Sequence, residues 1–188
     1  MDGDWVFDAG RPCLDLVNTV RSRHAQPVEL LTGPGKLAEW LGLAGFTLDQ
    51  TSLTGGNLIA AKALREAVDR LVVACADGLA PRTADVQLLN EAAVAAPAPV
   101  PELWIDDDGG PHRRPRPVSD PVAAAFATLA VDAIDLVTGE VAVRICAADD
   151  CGLRFCDASP RRTRQWCSMA RCGNRAKARA HYARIKSR

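Results

Sequence analysis

Cysteines are the residues of this chain whose type and spacing point most directly to chemistry. The sequence has seven of them, and five fall within 27 residues near its end. The spacing there is Cys146-x4-Cys151, then fifteen residues, then Cys167-x4-Cys172. Two separated pairs of thiolates joined by a loop of this length are typical of a tetrahedral zinc site. An odd number of cysteines and a start without a secretory pattern argue against a disulfide framework.

We therefore predict one Zn²⁺ ion, bound by Cys146, Cys151, Cys167 and Cys172. Four thiolates fill the coordination shell of zinc and leave no position for a substrate, so the ion is expected to be structural. Iron–sulfur ligation is disfavoured because the sequence lacks a cluster-type run of cysteines. Cys156 lies between the two pairs and is an alternative ligand. We interpret it instead as a packed thiol, and its sensitivity to oxidation stays open.

Charge divides the chain at nearly the same place. Residues 144–188 carry 12 Lys/Arg and 3 Asp, a net charge of +9, whereas residues 1–143 carry 11 Lys/Arg and 20 Asp/Glu, a net charge of −9. A basic segment on an acidic body predicts contact with a polyanion, and we expect DNA. Docking of the tail on the acidic body, or a tail that only aids solubility, are the alternatives.

The candidate nucleic-acid contacts are bases of the loop between the cysteine pairs and of the last segment. Two of them, one turn apart at the start of the last helix, are predicted to read base edges, as recognition helices do. The full candidate set is Arg161, Arg162, Arg164, Arg175, Lys177, Arg179 and Arg184, and the two base readers are Arg175 and Arg179.

Apolar periodicity predicts a mainly α fold for the remainder, an irregular helical bundle followed by the small zinc module, which ends in a basic helix. The almost entirely apolar helix after Asp120 is predicted to be the most buried element. Residues 103–110 are predicted to form a loose hairpin or loop. Asn174 is predicted to cap the last helix. The predicted helices of the bundle are Cys13–Val20, Lys36–Leu43, Asn57–Ala76, Thr83–Ala95 and Pro121–Val137.

Polar residues within the apolar opening run are the candidate ligand groups of the bundle. Arg11, Asp15 and Asn18 predict a pocket near residues 10–19, although they could equally satisfy buried backbone groups. Cys13 with His24 is a candidate nucleophile and base, but nothing in the sequence orients the pair. We therefore predict that the protein is not an enzyme.

The residues around the cysteines resemble the CGNR zinc-finger family, named for the run that is here Cys172-Gly173-Asn174-Arg175. The likeness includes Arg164-x-Trp166-Cys167-Ser168-Met169 and Phe155-x-Asp157-x-Ser159. The run Gly10-Arg11-Pro12-Cys13-Leu14-Asp15 is similar to the start of the ABATE domain that usually precedes this finger. The resemblance implies a bacterial regulator of transcription in the stress response.

Together these observations predict an ABATE-like helical domain over residues 1–143 and a CGNR-type zinc finger over residues 144–188. The expected function is DNA-binding regulation of transcription, in which the helical domain senses a small-molecule ligand or mediates homodimerisation. The alternatives are an RNA-binding or protein-interaction zinc module, or an enzyme with its site in the helical body. We expect a cytoplasmic protein without a membrane partner, because no uncharged apolar run is long enough to span a bilayer.

Overall fold

The computed structural model describes residues 5–48, 53–96, 100–116 and 118–186. The predicted architecture is confirmed there: a mainly helical body precedes a cysteine module that ends in helix. The helices are α1 (Pro12–Val17), α2 (Pro34–Leu43), α3 (Gly55–Ala76), α4 (Thr83–Val94), α5 (Pro121–Thr138) and α6 (Asn174–Lys186). The strands are β1 (Val20–Arg21), β2 (Val28–Glu29), β3 (Pro101–Ile105), β4 (Pro111–Pro115), β5 (Ala142–Ile145) and β6 (Arg154–Asp157). They form three antiparallel pairs in sequence order.

Helix α5 lies in the core of the helical body. Pro121 occupies its first position, and the Asp120 carboxylate accepts a hydrogen bond from the Ala123 N–H at 2.9 Å. Both features favour a helix start. Its buried face, which includes Phe126 and Leu129, packs against α1, α3 and α4. By length and composition α5 could span a membrane, but half of it is buried within the fold, as in the core helix of a globular domain.

Helix α3 is the longest helix among the described residues, and it contacts both the helical body and strand β5, which leads into the zinc module. Thr54 and Asn57 form a reciprocal capping box, so the helix starts at Gly55, two residues before the predicted start. Its apolar face includes Leu64 and Val68 and packs into the main core. The helix also contacts α1, α2, α4, α5 and β5.

Helix α1 is shorter than predicted. It ends at Val17, whereas the apolar periodicity continued to Val20. The Thr19 hydroxyl donates to the Leu16 carbonyl at 2.7 Å, and Val20 enters β1 opposite Glu29. A local hydroxyl–carbonyl bond at Thr19 and a strand partner for Val20 therefore end the helix before the apolar pattern does.

The predicted cap of the last helix is wrong. Asn174 has helical dihedral angles, φ −66° and ψ −38°, and a π-helical turn over Met169–Gly173 runs directly into α6. Ser168 caps this turn instead, because its hydroxyl accepts a hydrogen bond from the Arg171 N–H at 3.4 Å. The Met169 side chain packs over Gly173, where an added Cβ would lie 2.5 Å from the Met169 Sδ atom.

The zinc module and the helical body are joined by buried contacts. Strand β6 carries Arg154, whose guanidinium Nε lies 2.6 Å from the Asp69 carboxylate on α3. The Asn18 side chain donates to the Arg154 carbonyl and accepts from the Arg154 N–H, each at 2.9 Å. The Cys156 N–H donates to the Ala9 carbonyl at 2.8 Å. The module is therefore fixed on the body across several elements.

Candidate metal centre and nucleic-acid interface

The first pair of cysteines lies in the turn between β5 and β6. Cys146 follows the last residue of β5, and its N–H donates to the Leu153 carbonyl at 2.9 Å. The Cys151 N–H donates to the Ala148 carbonyl at 3.0 Å and closes the turn. This geometry points both thiols to the same side.

The second pair is presented by the segment after β6. Cys167 ends the loop, and Cys172 lies in the π-helical turn, where its N–H donates to the Ser168 carbonyl at 2.9 Å. The Cys167 N–H points at the Cys146 sulfur at 3.4 Å. The loop between the pairs thereby closes on the first pair.

The four sulfur atoms fit a tetrahedral zinc ion. All lie within 4.8 Å of one another, with Cys151 to Cys167 at 3.7 Å and Cys167 to Cys172 at 3.6 Å. A Zn–S bond of about 2.3 Å places tetrahedral sulfur ligands about 3.8 Å apart. All four cysteines are buried, with exposed fractions between 2% and 8%. The structure therefore brings the predicted ligands together as one structural zinc site, with no position open for a substrate.

A small apolar cluster surrounds the thiols. Phe155 is 1% exposed, Leu153 is 4% exposed, and Trp166 packs against them. Val6, from the N-terminal segment, belongs to the same cluster. Zinc supplies the main cross-link of so small a core, and these side chains exclude water from it.

Polar neighbours offset the negative charge of the site. Four thiolates and one Zn²⁺ carry a net charge of about −2. The Arg175 guanidinium lies 3.6 Å from the Cys172 sulfur, and the Cys167 backbone N–H approaches the Cys146 sulfur. Such partners orient ligands and tune a metal site. Arg175 therefore braces the zinc site, in addition to any role at a nucleic acid.

Cys156 lies outside the zinc site, on β6. It is half-buried, and its side chain packs on Gly10, where an added Cβ would approach the Cys156 Cβ to 3.1 Å. Burial raises the pKa of the Cys156 thiol above its ordinary value. A raised pKa reduces the thiolate fraction and with it the reactivity. The structure thus presents Cys156 as a packed thiol.

The loop residue Arg164 is committed to the module's own structure. Its Nε donates to the Trp166 carbonyl at 2.8 Å, and its Nη2 donates to the Cys167 carbonyl. The guanidinium also lies 4.6 Å from the centre of the Phe155 ring. Its backbone N–H donates to the buried Asp157 carboxylate at 2.9 Å. Among the seven predicted contacts, Arg164 is therefore a bracing residue of the loop.

The two predicted base readers share a single carboxylate. Arg175 lies 2.9 Å and Arg179 lies 3.1 Å from the two oxygens of Asp150, in the turn between the first pair of cysteines. These arginines hold the pKa of Asp150 below its usual range, against the opposing effect of desolvation. Sequence reasoning missed Asp150. Its position beside Cys151 does not indicate a contact with arginines that lie 25 and 29 residues further along the chain.

The other predicted contacts are exposed. Arg161 and Arg162 lie in the loop after β6, and their side chains have no ion-pair or hydrogen-bond partner within the described part of the chain, nor does Lys177 on α6. Arg184 is exposed on the last turns of α6. Of the seven predicted residues, one stabilises the loop, two are paired with Asp150, and four are exposed bases.

The three predicted ligand residues are all engaged in tertiary contacts. The Arg11 guanidinium contacts the Asp132 carboxylate at 2.8 Å and donates to the Asp132 carbonyl at 3.0 Å. Asp15 accepts from the Ala9 N–H at 3.1 Å, and burial raises its pKa to about 7. Asn18 is bonded to the Arg154 backbone. Arg11 thus ties the opening segment to α5, Asn18 ties it to β6, and Asp15 holds the Ala9 backbone on α1.

Two of the cavities in the structure lie at the junction of the body and the module. One, of about 320 Å³, is bordered by Arg21, Ser22 and Arg175 beside the zinc site. The other, of about 350 Å³, lies between the ends of α3 and α5 and strand β5, with Cys75 and Arg144 on its wall. Neither is bordered by Arg11, Asp15 or Asn18.

The geometry defines a helical domain carrying a structural zinc finger of the four-cysteine type. The CGNR zinc finger model matches residues 142–185, and the ABATE model, described as "Putative stress-induced transcription regulator", matches residues 10–140. The chain belongs to the ABATE family and carries a CGNR zinc finger, as the sequence resemblance indicated. It is a regulator-type zinc-binding protein. No curated protein matches the sequence.

Proposed function

We propose that this protein is a DNA-binding regulator of transcription. Its zinc module contacts the duplex, and its helical domain senses a ligand or mediates dimerisation. One observation carries the proposal: a basic helix, α6, projects from the zinc site. Its sequence NRAKARAHYARIK contains five Lys/Arg and no acid. The regulator description of the family supports the same function.

Helix α6 has the form of a helix that enters a groove. From Lys177 to Lys186 every residue whose burial is described is exposed, and α6 makes its main contacts with the π-helical turn that precedes it. That turn holds Cys172, so the zinc ion fixes the root of the helix. An α-helix of about 10–12 Å diameter fits the major groove of B-DNA, which is about 12 Å wide.

Asp150 sets a condition on this mode of binding. It pairs with both Arg175 and Arg179 at the root of α6, where base readers are expected. Both arginines remain about half exposed, so a phosphate or a guanine edge can compete with the carboxylate for them. We propose that Arg161, Arg162, Lys177 and Arg184 make the first phosphate contacts and that Arg175 and Arg179 exchange Asp150 for DNA.

For ligand sensing, the structure offers a candidate cavity away from residues 10–19. The cavity of about 350 Å³ lies within the volume range of small-molecule sites. It is bordered by α3 and α5 of the body and by β5, which leads directly to Cys146. A ligand there would contact both parts of the protein, so we propose it as the sensing site.

The alternatives differ in the partner of α6. The exposed Tyr182 (71%) and Ile185 (58%) suit a protein partner, which favours an interaction module as the second candidate. An enzyme remains the less favoured alternative. Cys13 is fully buried, and burial, with the nearby Asp132 carboxylate, raises its pKa, so it is a poor nucleophile.

A titration of the zinc-loaded full-length protein with duplex DNA and with structured RNA tests the proposal. We expect tighter binding to the duplex, and loss of that binding when zinc is chelated. Lys177→Gln should reduce the log–log salt slope by about 0.9, the value for one phosphate contact. Arg82→Gln, a matched charge removal on the helical body, should leave the slope unchanged. Preference for RNA, or equal effects of the two substitutions, would overturn the DNA assignment.

A further inference from the structure

The hairpin β3–β4 is a surface that the proposed function does not use. Its two strands pair with each other from Pro101–Pro115 to Ile105–Pro111, and its main contacts are internal. It carries exposed apolar side chains, with Leu103 at 75% and Ile105 at 53%. A two-stranded sheet has two edges, and each edge can accept another strand.

The hydrogen-bonding phase of the hairpin shows which backbone groups are free. The Arg116 N–H donates to the Val100 carbonyl at 2.9 Å, and the Asp106 N–H donates to the Gly110 carbonyl at 3.0 Å. Bonded pairs alternate along an antiparallel ladder. The even-numbered residues therefore face the neighbouring strand, and the odd-numbered residues point their backbone groups outward.

Proline closes the outer edge of β4. Its outward-facing positions are Pro111, Arg113 and Pro115, and proline has no N–H to donate. Arg113 alone offers an outward N–H there, and its side chain adds a charge to the edge. Proline and charge are the devices by which natural sheets prevent pairing at an edge.

The outer edge of β3 is open. Its outward-facing positions are Pro101, Leu103 and Ile105, so two consecutive outward sites offer both an N–H and a carbonyl. Within the described ranges no other strand pairs with this edge. Glu102 and Arg114, 2.6 Å apart, neutralise each other on the opposite face. One edge of the hairpin is thus blocked, and the other edge can pair with a further strand.

We propose that this edge pairs with β3 of a second copy of the chain, antiparallel and with its dyad at Leu103. In that register each Leu103 exchanges both backbone hydrogen bonds with Leu103 of the second copy. Each Ile105 N–H donates to the Pro101 carbonyl of the other copy. The pattern is self-complementary, as a twofold interface requires. The result is a four-stranded sheet with Leu103 side chains adjacent across the dyad.

The charge distribution selects this orientation. Three acids occupy the turn, Asp106, Asp107 and Asp108, whereas Arg116 lies at the foot of the hairpin, directly after β4. An antiparallel pair places the acidic turn of each copy beside the basic foot of the other. A parallel pair would place like charges together, which is unfavourable.

The proposed interface is small. Pairing of one five-residue edge strand falls below the about 1,200 Å² of total buried area that separates stable from transient interfaces. We therefore expect a reversible dimer whose fraction rises with protein concentration. On DNA, two tethered zinc modules would favour pseudopalindromic sites. This inference specifies how the proposed dimerisation occurs, and it rests on that part of the proposed function alone.

Sedimentation velocity of the zinc-loaded full-length protein over a concentration series tests the pairing, without DNA. Leu103→Pro removes the N–H at the dyad but no bond between β3 and β4, and should weaken dimerisation at least about tenfold. Arg113→Pro is the matched control, because Arg113 is the register partner of Leu103 on the closed edge. It should leave dimerisation within about twofold of wild type, since one exposed edge residue contributes little.

A second variant protects the test against misfolding of the hairpin. Leu103→Lys keeps the backbone N–H but places like charges opposite each other at the dyad, and it should also abolish the dimer. A wild-type protein that stays monomeric at every concentration overturns the inference, as does a dimer that survives both substitutions at Leu103. Equal loss in Arg113→Pro and Leu103→Pro overturns the choice of edge. Because no DNA is present, each of these results is independent of whether the zinc module binds DNA.

Discussion

Replacing Asp69 by asparagine removes the charge that neutralises Arg154 at the junction of the two parts. Arg154 is 6% exposed and Asp69 is 8% exposed. Their side chains lie 2.6 Å apart at the closest approach, and Arg23 approaches the same carboxylate at 3.4 Å. Without the carboxylate charge, two guanidinium groups would face each other in a largely dry site.

The expected cost is large for a single substitution. Desolvation, with the neighbouring Arg23, already lowers the pKa of Arg154, and the Asp69 carboxylate is the main opposing influence. Removing one member of a buried ion pair costs about 3–5 kcal/mol, because the other charge is left uncompensated. A domain of ordinary stability has about 5–15 kcal/mol in total, so Asp69→Asn should destabilise the protein severely but measurably.

Urea unfolding, followed by circular dichroism and by zinc release in the same samples, measures the effect on both parts. Arg154 lies on β6, between ligands Cys151 and Cys167, so both midpoints should shift together to lower urea. Lys36→Gln is the control, because it removes an exposed ion pair with Glu39 and should leave both midpoints unchanged. If the circular dichroism midpoint shifts and the zinc-release midpoint does not, the coupling between the two parts is refuted.

Three further outcomes are expected. Cys167→Ser should lose the zinc ion and Cys156→Ser should keep it, by metal analysis of the purified proteins; the reverse pattern would reassign the ligands. Asp150→Asn should release the two arginines of α6 and tighten duplex binding roughly 2- to 30-fold by fluorescence anisotropy, if each exposed pair is worth about 0.2–1 kcal/mol; weaker binding would contradict this. Burial raises the pKa of Asp15 from 3.8 to about 7, so its contribution to stability is lost as pH rises through that range. The unfolding free energy of Asp15→Asn, relative to wild type, should therefore increase by up to about 1.4 kcal/mol per pH unit between about pH 4 and pH 7. A difference that is independent of pH would count against the raised pKa.

The zinc site could be predicted from the sequence because its determinants are local. Within each pair the two cysteines are separated by four residues, the pairs flank a single loop, and ligand type and spacing largely define the metal. The core helix α5 was equally accessible, since Asp120 and Pro121 mark its start and apolar residues fill it. These features need no knowledge of distant contacts.

The roles of polar residues depended on contacts that spacing does not reveal. Asn18, a candidate ligand group in the sequence, hydrogen-bonds to the backbone of Arg154, 136 residues away. Its side chain therefore joins the helical body to the zinc module. Asp150 bonds to arginines 25 and 29 residues further on, so the two predicted base readers share one ion-pair partner. The π-helical turn was missed because Asn174, a residue type typical of helix caps, lies inside the helical run.

DNA binding by the zinc module is tested most directly by a salt series of binding isotherms, with zinc-loaded full-length protein and a duplex. If about five exposed bases of the loop and α6 reach phosphates, the log–log slope is about −4.5, and affinity falls roughly 500-fold between about 50 and about 200 mM salt. Chelation of zinc should abolish the binding, because the root of α6 is then released. Binding no tighter than millimolar at about 50 mM salt, or a slope near zero, would contradict the proposed function.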